Sequence, residues 1–367
     1  MSSPQLKRKL KIAIITEFLY FKGGIEKSIL SLIEELERNG IEFDIYAGLY
    51  DLSKMFFHVH RLKSKSFNSL VLRYKFSRLR LEGYDGYVIF GSHSIAAARK
   101  HHPNVLWSTR PLAYLYGWDG EGPDENTRYL YGKGTFRKIA VGIYMRLLRI
   151  IDQIQIRNVD KIRTVGILAE NALRAAYPNK DIGILYAPID ISQYKYLKKG
   201  GYYVNVARHV PDKHVERIVE AFKMMPDKEL YQIGQGDDSI AKLARGYKNI
   251  KILGFRSEGE LRKLIGESIA MISASEGEDF SMNLMESLAS GKPTISVNLD
   301  RTIKKAVIAE TGMLMPNSQP NEVVKAVKFL DSDRADKMKN ACEKKSKLFS
   351  KEKYLSGLLE ALGIDNS

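Results

Sequence analysis

The stretch that decides the fold begins Lys11-Ile12-Ala13-Ile14-Ile15-Thr16 and continues through Gly23-Gly24. Ile25, Ile29, Leu32, Ile33 and Leu36 then recur at helical spacing, Asn39-Gly40 follows, and a second extended run covers residues 41–47. A short apolar run suits a strand buried on both faces. The recurrence after it lays one apolar stripe along a helix, and Asn-Gly supplies the stop. Strand, loop, helix and strand make a βαβ unit, and that crossover implies a parallel sheet.

Working outward, residues 86–90 and 105–107 read as further strands. Residues 117–134, rich in Gly and polar groups, read as a mobile loop, and 136–157 as a long helix. A Pro-marked turn stands at Tyr186-Ala187-Pro188-Ile189-Asp190. Beyond it the alternation is cleaner, with strands at 202–207, 230–233, 250–253, 270–272 and 294–297 and a helix at 215–224. The expectation is an α/β chain of two Rossmann-like, doubly wound parallel-sheet domains facing across a cleft. The domains expected are 1–187 and 188–349, with a closing helix in 350–367 that returns to the first.

The composition agrees with two globular domains. The chain has 367 residues, 44% hydrophobic and 28% charged, which excludes a disordered chain. No window reaches the ~20 apolar residues of a membrane-spanning helix. Basic residues precede the first apolar run, but Lys11 and Glu17 bound it too tightly for a signal peptide. The single cysteine, Cys342, excludes a disulfide framework and reads as a small residue on a helix face. The net charge of +15 favours an anionic partner.

The chemistry concentrates in Glu276-Gly277-Glu278-Asp279-Phe280-Ser281-Met282-Asn283-Leu284-Met285-Glu286-Ser287-Leu288-Ala289-Ser290-Gly291-Lys292-Pro293. It reads as a strand end, an acidic loop and a helix, with Ser281 as N-cap, Gly291 just past the end and Pro293 preventing continuation. In open α/β sheets, ligands bind beyond the carboxyl ends of strands. The free amides of a helix start suit a diphosphate. Glu278 and Glu286 offer carboxylates to sugar hydroxyls.

This segment resembles the signature of the GT4-type, group 1 family of retaining GT-B glycosyltransferases: two glutamates with seven residues between them, closing on Glu-Ser-Leu-Ala-Ser-Gly-Lys-Pro at 286–293. Ser281 stands where many members have glycine. The resemblance implies that Glu278 contacts the donor sugar and supports the reaction, and that Glu286 binds the nucleotide ribose. It also implies that Arg208 and Lys213, after the strand at 202–207, hold the donor phosphates. Fixed cations there would stabilise the charge that builds on a departing nucleoside diphosphate, so no metal is required. Gly23-Gly24 resembles the family's N-terminal glycine loop. Gly234 resembles a glycine after the next strand, and Phe255 follows the strand beside the nucleotide base. Phe280, Ser281, Met282 and Asn283 complete the expected donor-binding set. The resemblance is close over residues 185–315 and partial over 10–50. One departure is Ser108, where many relatives carry a histidine that touches the donor sugar. His93 occupies a different position and reads as a helix-start residue, and His101-His102 as a solvated turn.

Residues 54–80 interleave Lys and Arg with Phe, Leu, Val and Tyr. They fit a surface that meets anionic lipid, and equally a domain face whose apolar residues point inward; nucleic acid is the weaker match. The expected function is transfer of a hexose from a nucleoside-diphosphate sugar to a glycan or lipid-linked acceptor, with retention and without cofactor or metal. The expected location is cytoplasmic, with the inner membrane face as a possible site. The alternatives are a basic nucleic-acid-binding protein and an inactive transferase-like scaffold.

Overall fold

The computed structural model describes residues 9–19, 24–50, 59–61, 69–117, 135–236, 238–276, 279–297 and 307–364. The chain divides into two units, Met1–Pro188 with Lys351–Ser367, and Ile189–Ser350.

In the first unit, β1 (Lys11–Leu19) is followed by α1 (Gly24–Arg38), β2 (Glu42–Tyr50), β3 (Val59–Arg61), α2 (Ser69–Arg78), β4 (Gly86–Phe90) and β5 (Asn104–Trp107). Then come α3 (Thr135–Ile156), β6 (Lys161–Thr164), α4 (Ile167–Ala176) and β7 (Asp181–Ile184). All pairings are parallel, in the order β3-β2-β1-β4-β5-β6-β7. Strand order therefore reverses between β1 and β4. Ile12–Ile15 and Tyr87–Phe90 are buried throughout, as strands covered on both faces must be. Residues 54–58, 62–68 and 118–134 lie outside the described residues. In α2, Leu72, Arg73 and Phe76 turn inward, so this part of the basic segment is a packed face. Arg73 pairs with Asp152 of α3 at 2.6 Å, and both are buried. Tyr116 and Tyr177 also donate to Asp152, at 3.0 and 2.7 Å.

His101 corrects the expectation of a solvated turn. It is fully buried; its Nδ1 lies 2.6 Å from the Ala97 carbonyl and its Nε2 accepts the Leu81 N–H at 3.0 Å. Burial pushes its pKa down. His102 beside it is exposed and meets Asp160.

In the second unit, β8 (Tyr202–Val206), α5 (Val215–Lys223), β9 (Glu229–Ile233), β10 (Ile250–Gly254), α6 (Glu258–Gly266) and β11 (Met271–Ile272) follow in turn. They lead to α7 (Met282–Ala289), β12 (Thr294–Val297), β13 (Gly312–Met315), α8 (Pro320–Phe329) and α9 (Lys339–Ser346). The sheet is parallel in the order β10-β9-β8-β11-β12-β13, reversing between β8 and β11. In α5, Val215, Ile218, Val219 and Phe222 recur on one face and are buried. Burying side chains of this size contributes about 1.5–3 kcal/mol each. Cys342 is buried on α9, where burial pushes its thiol up to about 12.

The last helix, α10 (Lys351–Leu362), belongs to the first unit and packs on α1, β4 and β5. Tyr354 meets the Trp107 ring edge-on at 5.7 Å. Gly86 lies close under α10: a Cβ there would sit 2.7 Å from the end of the Leu362 side chain, which would have to shift.

Candidate donor site

In the second unit, all strands run parallel, so the ends of β8, β9, β10 and β11 share one edge of the sheet. The switch point between β8 and β11 lies on that edge, where open α/β sheets take their ligands. A cavity of about 210 Å³ is lined there by Arg208, Lys213, Ser273, Ser281, Asn283 and the end of β8.

Each side chain is placed by local structure. Beyond β8 the backbone continues beside β9: the Ala207 N–H donates to Ile233 and the His209 N–H to Gln235, both at 2.9 Å. This close approach requires Gly234. Its φ is +138°, and a Cβ would fall 1.9 Å from the Ala207 carbonyl oxygen. Arg208 is exposed, and its side chain makes no hydrogen bond or ion pair among the described residues. Lys213 closes a short 3₁₀ turn, Pro211–Lys213, and lies 3.5 Å from Asp212.

That turn is braced by a residue the sequence reading did not single out. Glu276 donates its N–H to the Asp212 carbonyl at 3.4 Å. Its carboxylate meets Arg217 at 3.1 Å, His214 at 3.4 Å and the Ser318 hydroxyl. The Ser318 hydrogen bond is the main cause that holds the Glu276 carboxyl below its usual value, with His214 and Arg217 adding to it. His214 joins the turn to α5 in a left-handed conformation at φ +46°.

The helix α7 starts against the same cavity. Ser281 stands at the N-cap position with extended backbone, but its hydroxyl does not cap. The first-turn amides are thus left without that side-chain acceptor. Asn283 instead ties the helix start to β8, donating to the Val206 carbonyl at 2.8 Å. At the far end Gly291 takes φ +66°, which ends the helix.

Glu286 is one turn further along α7 and is buried. The Tyr194 hydroxyl is hydrogen bonded to it; burial raises the phenol's pKa, and the Glu286 charge adds to this. Glu286 Oε2 accepts no hydrogen bond among the described residues. A carboxylate so placed can take a ligand hydroxyl.

The structure thus brings Arg208, Lys213, Ser281 and Asn283 around one cavity, with Gly234 behind Arg208. Phe255, just past β10, is 70% exposed. Met282 is half-buried, and half-buried Phe280 packs against Phe349 at 5.7 Å. Gly24 opens α1 in the first unit and is exposed. Gly23 and Glu278 lie outside the described residues. Ser108 is buried and donates to the Arg110 carbonyl at 2.9 Å, so its hydroxyl is spent on a turn.

The switch point of the first unit holds a pair of its own. Glu17, near the end of β1, accepts the His93 N–H at 2.8 Å and meets its ring Nδ1 at 2.5 Å. Gly91, at φ +87°, makes room: a Cβ there would sit 2.5 Å from the Glu17 carboxyl carbon. His93 does stand at a helix start, preceding the 3₁₀ helix Ser94–Lys100. Its partner lies 76 residues away, which no local pattern reveals.

Residues 189–362 match the family Glycosyl transferases group 1. The glycosyltransferase match spans the whole second unit and α10. No protein of curated function matches the chain. Among solved structures, the chain is similar to the lipopolysaccharide outer core galactosyltransferase WaaB in its apo form (TM-score 0.71, 16% identity, 96% of this chain and 99% of that one). It is similar to a sucrose-phosphate synthase from Thermosynechococcus elongatus (TM-score 0.70, 16% identity, 96% and 98%). Anabaena HepE in complex with UDP-glucose also matches (TM-score 0.66, 14% identity, 96% and 99%). The fold is that of the GT-B glycosyltransferases.

Proposed function

We propose that the chain transfers a hexose from a nucleoside-diphosphate sugar to a glycan or lipid-linked acceptor, with retention of anomeric configuration. One observation carries the reading: Arg208, Lys213 and the uncapped start of α7 line a single cavity at the switch point. Two cations and a set of backbone amides are a diphosphate's complement. The group 1 match and the UDP-glucose bound to HepE support the same class of donor.

In this reading the diphosphate lies between Arg208, Lys213 and the first turn of α7. As the bond from the sugar to the diphosphate breaks, negative charge grows on the leaving oxygen. Both cations stabilise it without reorganising, and no metal ion is called for. Glu286 binds the ribose, Phe255 stacks on the base, and Glu278 holds the sugar hydroxyls. The acceptor hydroxyl attacks from the face the diphosphate leaves, and the leaving phosphate takes its proton.

Incubation with UDP-, GDP- and ADP-sugars, read by nucleoside-diphosphate release, tests this. One donor class should be turned over, and Arg208→Ala should lower the rate by about 10²-fold or more. Release unchanged in Arg208→Ala would contradict the assignment. A product with inverted configuration would refute retention.

A further inference from the structure

The long helix α3 has two apolar faces, and the core accounts for one. Leu148, Asp152 and Ile156 turn inward. Ile139, Ile143, Leu147, Ile150 and Ile154 turn outward, each 47–64% exposed. At 3.6 residues per turn these five fall within an arc of about 80° and run for about 22 Å along the helix. Single exposed apolar residues are ordinary, but an unbroken stripe marks a contact surface.

We propose that this face of α3 lays the protein on an anionic bilayer surface. The charge distribution selects that occupant. Asp152 is the only acidic residue of the helix, and it is withdrawn into the pair with Arg73. Arg146 is exposed on the helix and exposed Arg157 follows it, whereas Arg149 is taken up by the Tyr116 ring 4.9 Å away. A second copy would set these arginines, on chains of net charge +15, against one another. Anionic headgroups would neutralise them while Ile and Leu enter the acyl boundary. No helix among the described residues is long and apolar enough to cross a membrane, so α3 lies on the surface. This is distinct from the 54–80 segment, whose α2 packs Leu72, Arg73 and Phe76 inward. The proposal does not depend on the donor assignment.

Flotation of the full chain with vesicles of phosphatidylcholine, alone or with phosphatidylglycerol, at low salt tests it. The wild type should float with the anionic vesicles only. Ile143→Ser/Leu147→Ser/Ile150→Ser should bind about tenfold or more weakly, with an unchanged melting temperature because the sites are exposed. Arg146→Glu/Arg157→Glu keeps the apolar stripe and should also weaken binding, which guards against misfolding of the first variant. Wild type that stays unbound, or variants that float as it does, would overturn the proposal. So would a vesicle-free dimer of the wild type that the triple variant abolishes, because the face would then belong to a second copy.

Discussion

The side-chain amide of Asn283 donates to the Val206 carbonyl at 2.8 Å, joining the start of α7 to the strand that delivers Arg208. The bond fixes where the helix amides point. Asn283→Asp removes the donor and adds a negative charge at the cavity wall. Donor affinity should fall by about tenfold, since a neutral hydrogen bond is worth about 0.5–1.5 kcal/mol and the new carboxylate would repel a diphosphate. Titration calorimetry against the preferred donor reads it.

Gly234 makes a sharper backbone test. An alanine Cβ would sit 1.9 Å from the Ala207 carbonyl oxygen, so the chain before Arg208 must shift. Gly234→Ala should cost more than about 2 kcal/mol, given both the clash and the positive φ, and should lose donor binding. At Gly201 a Cβ meets nothing within 4 Å, and Gly201→Ala should leave both unchanged. Urea denaturation of the two variants compares them.

Legibility followed the distance between partners. Residues 11–16 and the helix that follows announce themselves because a doubly covered strand and its crossover leave local periodicities. Strands β6 and β7 do not: Lys161–Thr164 alternates buried and half-buried positions, and Asp181 and Gly183 leave β7 few apolar residues. At the candidate site, the Arg208 to Lys213 spacing and the 276–293 stretch are visible as local patterns. Glu276 with Ser318 and Tyr194 with Glu286 are not, because each pair is assembled only by folding. His101 misled for the same reason: a polar residue beside His102 reads as solvated until Leu81 and Ala97 supply its partners.

Asp152 anchors the buried network that joins α2 to α3. Asp152→Ala would leave Arg73 charged and buried, with the Tyr116 and Tyr177 hydroxyls losing their acceptor. The loss should be about 3–5 kcal/mol. Arg38→Ala, which breaks the exposed pair with Glu352, should change stability far less, because solvent screens that pair. Thermal melts of both variants make the comparison.

Two buried bases set opposite ends of the pH profile. Burial pushes Lys292 down to about 8 from 10.5. Between those values the unfolded chain holds more protons, so wild-type stability should rise with pH across that window. The rise should be absent from Lys292→Met. His101, lowered below 6.5, follows the same sign at acid pH: its contribution is lost as pH falls below 6.5, where the unfolded chain takes up the proton. Urea midpoints measured from pH 5 to 10.5 check both.

The most direct measurement of the donor site is thermal stabilisation by a panel of UDP-, GDP- and ADP-sugars, in the wild type, Arg208→Ala, Lys213→Ala and Glu286→Ala. One nucleotide class should raise the wild-type melting temperature, with the rise lost in the Arg208 and Lys213 variants and reduced in the Glu286 variant. No stabilisation by any donor at millimolar concentration, or equal stabilisation of all four proteins, would contradict the account.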